Sequence, residues 1–112
     1  MEEADIEQFR MTLLRQRTEL QDLEESARDA AKPVELDQAS VGRLSRMDAM
    51  QAQQMARETE RRRRQQVARI EAALRRIESG DYGYCYVCGE EIDIRRLAVD
   101  PAITRCIKCV EQ

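Results

Sequence analysis

Hydrophobic residues at the start of the chain recur in alternating steps of three and four. The series is Ile6, Phe9, Leu13, Leu20, Leu23, Ala27 and Ala30, with Gln16 as its one polar member. Such spacing lays a single apolar stripe along a helix, the seam of a coiled coil, and predicts a helix over residues 5–31. Glu2, Glu3 and Asp5 stand at its start, where the positive end of the helix dipole favours carboxylates. Lys32-Pro33 ends it, because the residue before proline is pushed out of the helical region. A second helix is expected to begin between Asp37 and Ser40, either of which can cap it, and to run to Ser79, with Gly80 placed to close it. Its seam is less regular: Val41, Leu44, Met47 and Met55 serve one half, and Val67, Ile70, Leu74 and Ile77 the other. Thr59 and Arg63 form a polar patch between them, which an antiparallel turn near residue 35 would bring towards Gln16. At about 1.5 Å per residue the longer helix is a rod on the order of 60 Å.

The short connection between the helices favours a helical hairpin, since short links make antiparallel neighbours; a parallel coiled-coil dimer is the alternative. Composition agrees with long solvated helices rather than a large core, because 37% of residues are charged and only 4% aromatic. The net charge of −3 hides an asymmetry. Residues 1–31 carry nine acids against four bases, and residues 41–78 carry ten bases against five acids, so the two helices attract each other. Direct binding to duplex DNA is not expected of a chain that is acidic overall. No stretch is apolar enough to span a membrane, and the acidic N-terminus lacks a signal-peptide pattern, so a cytoplasmic monomer is expected.

The chemistry is concentrated at the other end. Cys85, Cys88, Cys106 and Cys109 are the four cysteines, in two Cys-x-x-Cys pairs, and the chain has no histidine. Each pair places two thiolates on one tight turn, and two turns supply the four tetrahedral corners of one zinc ion. Gly89 and Gly83 give the backbone the freedom such turns need, and Ile92, Leu97, Val99 and Ile103 are expected to cover the sulfurs. Four thiolates close the coordination shell, so the zinc is structural; redox use of the thiols is the rival reading. Arg95, Arg96, Arg105 and Lys108 are placed to screen the formal −2 of the loaded site. Without histidine or a Gly-rich phosphate loop, a non-enzymatic protein is expected. The fold class is therefore mainly α: an antiparallel two-helix coiled-coil hairpin over 1–79, with its tip near 32–40, followed by a small four-cysteine zinc finger over 80–112.

The segment Gly80-Asp81-Tyr82-Gly83-Tyr84-Cys85-Tyr86-Val87-Cys88-Gly89-Glu90-Glu91-Ile92, followed by Ile94-Arg95-Arg96-Leu97, Pro101 and Cys106-Ile107-Lys108-Cys109, resembles the DksA/TraR family of bacterial transcription regulators. That resemblance implies binding to RNA polymerase. It implies a coiled coil that enters the secondary channel and a tip that alters promoter-complex stability, often together with the alarmone ppGpp. The family's tip pattern, Asp-x-x-Asp-x-Ala, is matched in its second half by Asp37 and Ala39. Val34 stands at the first acidic position, with Glu35 beside it. Arg62 and Arg69, seven apart on one helix face, and Arg95 and Arg96 are candidate contacts for polymerase or ppGpp, whereas the run Arg61–Arg64 is otherwise expected to pair with the acidic first helix. Two other functions fit the same residues. One is a zinc ribbon that binds single-stranded nucleic acid by stacking bases on Tyr82, Tyr84 and Tyr86; the other is a coiled-coil adaptor without polymerase activity.

Overall fold

The computed structural model describes residues 1–30 and 43–110. Four helices follow in order: α1 (Glu3–Ala30), α2 (Arg43–Ser79), α3 (Ile94–Val99) and α4 (Ile107–Val110). Among the described residues, extended pairing is confined to one antiparallel bridge between Tyr84 and Glu91. No described helix is long and apolar enough to cross a membrane. The expected start of the second helix, between Asp37 and Ser40, lies outside the described residues.

Both long helices are closed by the chemistry their ends require. At the start of α1, the Asp5 carboxylate accepts from the backbone N–H of Glu2 at 3.2 Å, satisfying a donor outside the first turn. At the end of α2, Gly80 takes φ 82°. Gly80 N–H then donates to the carbonyl of Ile77 and Asp81 N–H to that of Arg76, the paired bonds of a Schellman closure. This closure turns the chain back at once, so the finger begins against the helices rather than beyond them.

α1 and α2 run antiparallel. Leu20 and Gln16 lie beside Gln66 and Ile70, and Arg10 and Leu14 beside Glu71, Leu74 and Arg75. This register differs from the expected one by about two turns at 3.6 residues each. Gln16 faces Gln66 and Arg69, while Arg63 sits by Glu24, Ala27 and Arg28. The described part of α1 therefore ends alongside residues 56–60 of α2, and the first turns of α2 run past it. That offset accounts for the exposure of Met47, Met50 and Met55, of which the first and last were expected in the seam. Leu23 also departs from the seam, at 53% exposed, and Ala27 is exposed.

The core sits at the base of the hairpin. Leu13 of α1 and Ile70 and Ala73 of α2 join Tyr82, Cys85, Ile92, Leu97, Ala102, Cys106 and Cys109 in one buried cluster. Phe9 meets Tyr82 with ring centroids 6.0 Å apart in a tilted arrangement, a geometry aromatic pairs favour. The Tyr82 hydroxyl is buried and donates to the carbonyl of Pro101 at 2.8 Å. Val99, expected to cover the sulfurs, is instead 87% exposed. It is the last residue of the short α3, and the buried side of that helix belongs to Leu97.

Because Leu13 is fully buried among residues of both the hairpin and the finger, Leu13→Ala is expected to cost about 2–5 kcal/mol. Urea unfolding followed by helical circular dichroism and by tyrosine fluorescence should show both signals shifting together. Met55→Ala, on the exposed part of α2, should stay within about 0.5 kcal/mol of the parent.

Candidate functional site

The first Cys-x-x-Cys pair is held by a narrow two-sided loop. Ile92 N–H donates to Gly83 O, Cys85 N–H to Glu90 O and Gly89 N–H to Cys85 O, each at 2.8 Å. Gly83 (φ 90°) and Gly89 (φ 76°) occupy conformations that side-chain-bearing residues rarely adopt. At Gly83 the Met1 side chain also lies where a β-carbon would project. The second pair opens α4, where Cys109 and Val110 N–H groups donate to Cys106 O at 3.0 and 3.1 Å. A bond from Tyr86 N–H to Thr104 O, at 2.9 Å, ties the two knuckles to each other.

This backbone brings together the four sulfurs that the spacing singles out. All four Sγ atoms lie within 4.8 Å of one another, and Cys88 and Cys106 are 3.6 Å apart. A tetrahedron of Zn–S bonds of about 2.3 Å has edges just under 4 Å, so the donor set fits a single zinc. Cys85, Cys106 and Cys109 are buried, and Cys88 faces solvent. Burial works to raise the Cys85 thiol, but the backbone N–H groups of Cys106, Cys88 and Val87 outweigh it and hold it down at about 6. Cys106 is likewise lowered against its burial, chiefly by the backbone at Cys109. Cys109 is pushed up to about 12, first by its hydrogen bond with Cys106 and then by burial. The fold thus favours the thiolate form at two of the four sulfurs, and a metal ion displaces the protons the others retain. Four sulfur donors leave no open coordination position for chemistry.

The arginines are distributed differently from expectation. Within the run 61–64, Arg61 and Arg62 pair with Glu58 of their own helix, at 2.6 and 3.4 Å. Arg64 pairs with Glu60 and reaches across to Glu24 of α1 at 3.6 Å. Among the described ion pairs, the run therefore reaches α1 through Arg64. Arg63 is the member placed against α1, near Ala27 and Glu24. Arg69 binds Asp100 of the finger at 3.0 Å. Arg95 is held by Asp93, whose carboxylate also caps α3 by accepting from Arg95 N–H; that arginine holds the Asp93 carboxyl below its ordinary range. Arg96 is half-buried, and among the described residues its Nη1 has no hydrogen-bond partner. Asp93 and Asp100 were not singled out by sequence reasoning; the Asp-Pro pair at 100–101 was the available signal for the second. The tip residues Glu35, Asp37 and Ala39 lie outside the described residues.

Of the three tyrosines expected to offer stacking faces to single-stranded nucleic acid, Tyr84 and Tyr86 are exposed and Tyr82 is not. Tyr82 is buried in the core, where burial and then the nearby Asp100 raise its hydroxyl well above the ordinary tyrosine range. The Arg105 guanidinium covers Tyr86, 5.1 Å from the ring centroid, and donates to its hydroxyl. Tyr84 alone of the three keeps an unclaimed, exposed ring among the described contacts.

Comparison with known proteins places this geometry. The family described as "Prokaryotic dksA/traR C4-type zinc finger" matches residues 80–111. Over 48 residues the chain is 48% identical to the RNA polymerase-binding transcription factor DksA of Haemophilus influenzae, a match covering 43% of this chain and 33% of that protein. The corresponding factor of Escherichia coli (strain K12) is 46% identical over 48 residues, covering 43% of this chain and 32% of that protein. The matched segment thus spans about a third of the length of these curated relatives. Among solved structures, transcription factor DksA2 from Pseudomonas aeruginosa superimposes with a TM-score of 0.80 at 34% identity, covering 99% of this chain and 84% of that one. The RNA polymerase binding protein and transcriptional regulator Dks from Chlamydia trachomatis shares the fold at 22% identity and a TM-score of 0.60, covering 99% and 88%. With a C4-type finger and four converging sulfurs, the chain carries one structural zinc.

Zinc and protons compete for the same sulfurs, so zinc affinity falls as pH falls. Cys85, held down at about 6, keeps its thiolate through neutral pH and takes up its proton as pH drops through that value. Competition against a coloured chelator between about pH 8 and pH 5 is expected to show affinity falling by about a hundredfold per pH unit down to about pH 6, since Cys88 and Cys109 must each release a proton, and more steeply below it as Cys85 takes up its own. Because the sulfurs share a core with Leu13 and Ile70, acid or chelator should also reduce the helical signal in part.

Proposed function

The chain belongs to the DksA/TraR family, and from that premise we propose that it is a non-enzymatic transcription regulator that binds RNA polymerase through the secondary channel and modulates promoter-complex stability. The observation that carries this reading is the match to DksA2 along 99% of the chain, hairpin and finger together. Cys85, Cys88, Cys106 and Cys109 are the zinc ligands, and the finger of residues 80–112 serves as the base on which the hairpin of residues 1–79 stands. The activity belongs to the far end of the rod. A carboxylate carried there by a stiff helix pair can reach a bound metal or basic groups deep in a channel, and Asp37, with Glu35 and Ala39, takes that role. Asp37 also suits a helix cap, and the two roles are compatible. Arg62, 75% exposed, and Arg95, 87% exposed, are free to meet an acidic rim despite their local carboxylate partners, because exposed ion pairs are worth little. Such a protein works in the cytoplasm, as a monomer.

Core RNA polymerase immobilised on beads is expected to retain the chain, and another secondary-channel factor to displace it; failure to be retained would sink the proposal. Asp37→Asn should abolish the effect on transcription while leaving polymerase retention within about twofold. Loss of retention in step with activity, with folding intact, would make the tip a docking element instead.

A further inference from the structure

A groove of about 560 Å³ opens where the start of α1 meets the first knuckle of the finger. Met1 and Ile6 form its α1 side, and Tyr82, Tyr84, Ile92 and Ile94 line it from the finger. Tyr82 and Ile92 are buried and Ile6 half-buried, so they make its floor, whereas Met1, Tyr84 and Ile94 stand exposed around it. Gly83 takes φ 90°, and the end of the Met1 side chain is seated where a β-carbon would project from it. A backbone position without a side chain thus already serves as the seat of an unbranched apolar group. Methionine repacks readily, so this wall can yield to a guest. Apolar residues exposed singly need no explanation, but Met1, Tyr84 and Ile94 gathered round one concavity mark a contact surface.

The rim of this groove is acidic. Glu91 lines it, and among the described contacts no hydrogen bond or ion pair holds the Glu91 carboxylate. Asp93 lines it as well, although Arg95 pairs with that residue at 2.9 Å. Glu2, Glu3 and Asp5 flank Met1 and Ile6 in the chain, and Asp81 stands between Gly80 and Tyr82. Of the nearby bases, Arg76 is occupied by the carbonyls of Asp81 and Tyr84, at 3.1 and 2.7 Å, and Arg95 by Asp93. Acids therefore prevail around the apolar floor. Their field repels phosphate groups, which argues against a nucleic acid or an anionic lipid surface as the occupant. It attracts ammonium and guanidinium groups instead.

We propose that this groove is a docking site for a protein partner, taken up by a short segment that lays apolar side chains on the floor and sets lysine or arginine beside Glu91. Burial of those side chains between Tyr84, Ile92 and Ile94 supplies the affinity, and the rim acids speed encounter and fix the orientation. A groove of this size holds only a few side chains, so the contact is weak and reversible. The site lies at the base of the hairpin, and neither its chemistry nor its test depends on polymerase binding or on the tip.

The test uses the zinc-loaded chain, with the methyl signals of Met1, Ile6, Ile92 and Ile94 followed by nuclear magnetic resonance during titration with synthetic peptides. The first peptide carries leucines at helical spacing on one face and lysines elsewhere. A second replaces every leucine with serine, and a third every lysine with glutamate. The first is expected to shift those methyls and to saturate below about 0.2 mM at low salt, and the other peptides to bind at least about tenfold more weakly. Ile94→Ser and Glu91→Lys, both at exposed positions, should each weaken the first peptide by about fivefold or more. Glu25→Lys, far along α1, should change it by less than about twofold. Zinc content and circular dichroism establish that each variant is folded. Equal binding of the serine peptide would reduce the contact to bare charge, and equal binding of the glutamate peptide would remove the role of the rim. Unchanged affinity in Ile94→Ser and Glu91→Lys would place the peptide elsewhere. Each of these results overturns the proposal, as does failure of the first peptide to bind. A concentration-dependent dimer that Glu91→Lys abolishes would assign the groove to a second copy of the chain and overturn it too.

Discussion

The buried contact between Leu13, Ile70 and Ala73 on the hairpin and Tyr82, Leu97 and Ala102 on the finger is the constraint on which the rest of the molecule depends. Neither part can close a core without the other. Among the described residues the hairpin has one well-buried layer, and the finger is too short to bury more than a few side chains. Joined at Tyr82, which packs on Phe9 and bonds to Pro101, they share a core that fixes the rod's direction relative to the metal. Rigidity at that joint is what the proposed action at the rod's far end requires. A loose base would dissolve the advantage of holding the proposed carboxylate in one place.

The zinc site stabilises this joint from the opposite side. Three of its four sulfurs belong to the same buried cluster as Leu13, so metal binding and hydrophobic burial reinforce one another. The fold prepares for the ion by directing backbone N–H groups at Cys85 and Cys106, which lowers the cost of making thiolates before a metal is present. In the proposed function the finger serves the rod mechanically, and four sulfur donors close the shell of a structural zinc.

How much of this was legible in the sequence depends on whether a feature is local. The Cys-x-x-Cys pairs, the glycines at 80, 83 and 89 and the stripe through Phe9 and Leu13 all express short-range geometry, and the structure bears them out. Register between the two helices is not local. Ile70 and Leu74 suit several partners on α1, and only packing against the finger selects the pairing that puts Gln16 beside Gln66 and leaves Met55 bare. Tyr82 misled for a related reason: an aromatic residue near arginines looks like a stacking platform until the fold brings Phe9 over it. The arginine run misled because periodicity shows which residues share a face but not which carboxylate is nearer. Glu58 and Glu60, one turn away, captured Arg61, Arg62 and Arg64 more readily than the acids of α1.

The same competition between near and distant partners governs the finger's surface. An arginine on an exposed helix gains little from any single carboxylate, and the pair persists only when the acid is held in place for another reason. Asp93 is held because it caps α3, and Asp100 because it closes that helix and precedes a proline. Their charges are by-products of backbone positions that need a short polar residue, and the positions themselves are set by the shape of the finger. A different residue at the closing position would keep the fold and change the charge beside Arg69. In this architecture the surface electrostatics of the finger can therefore vary independently of the rod, the core and the metal.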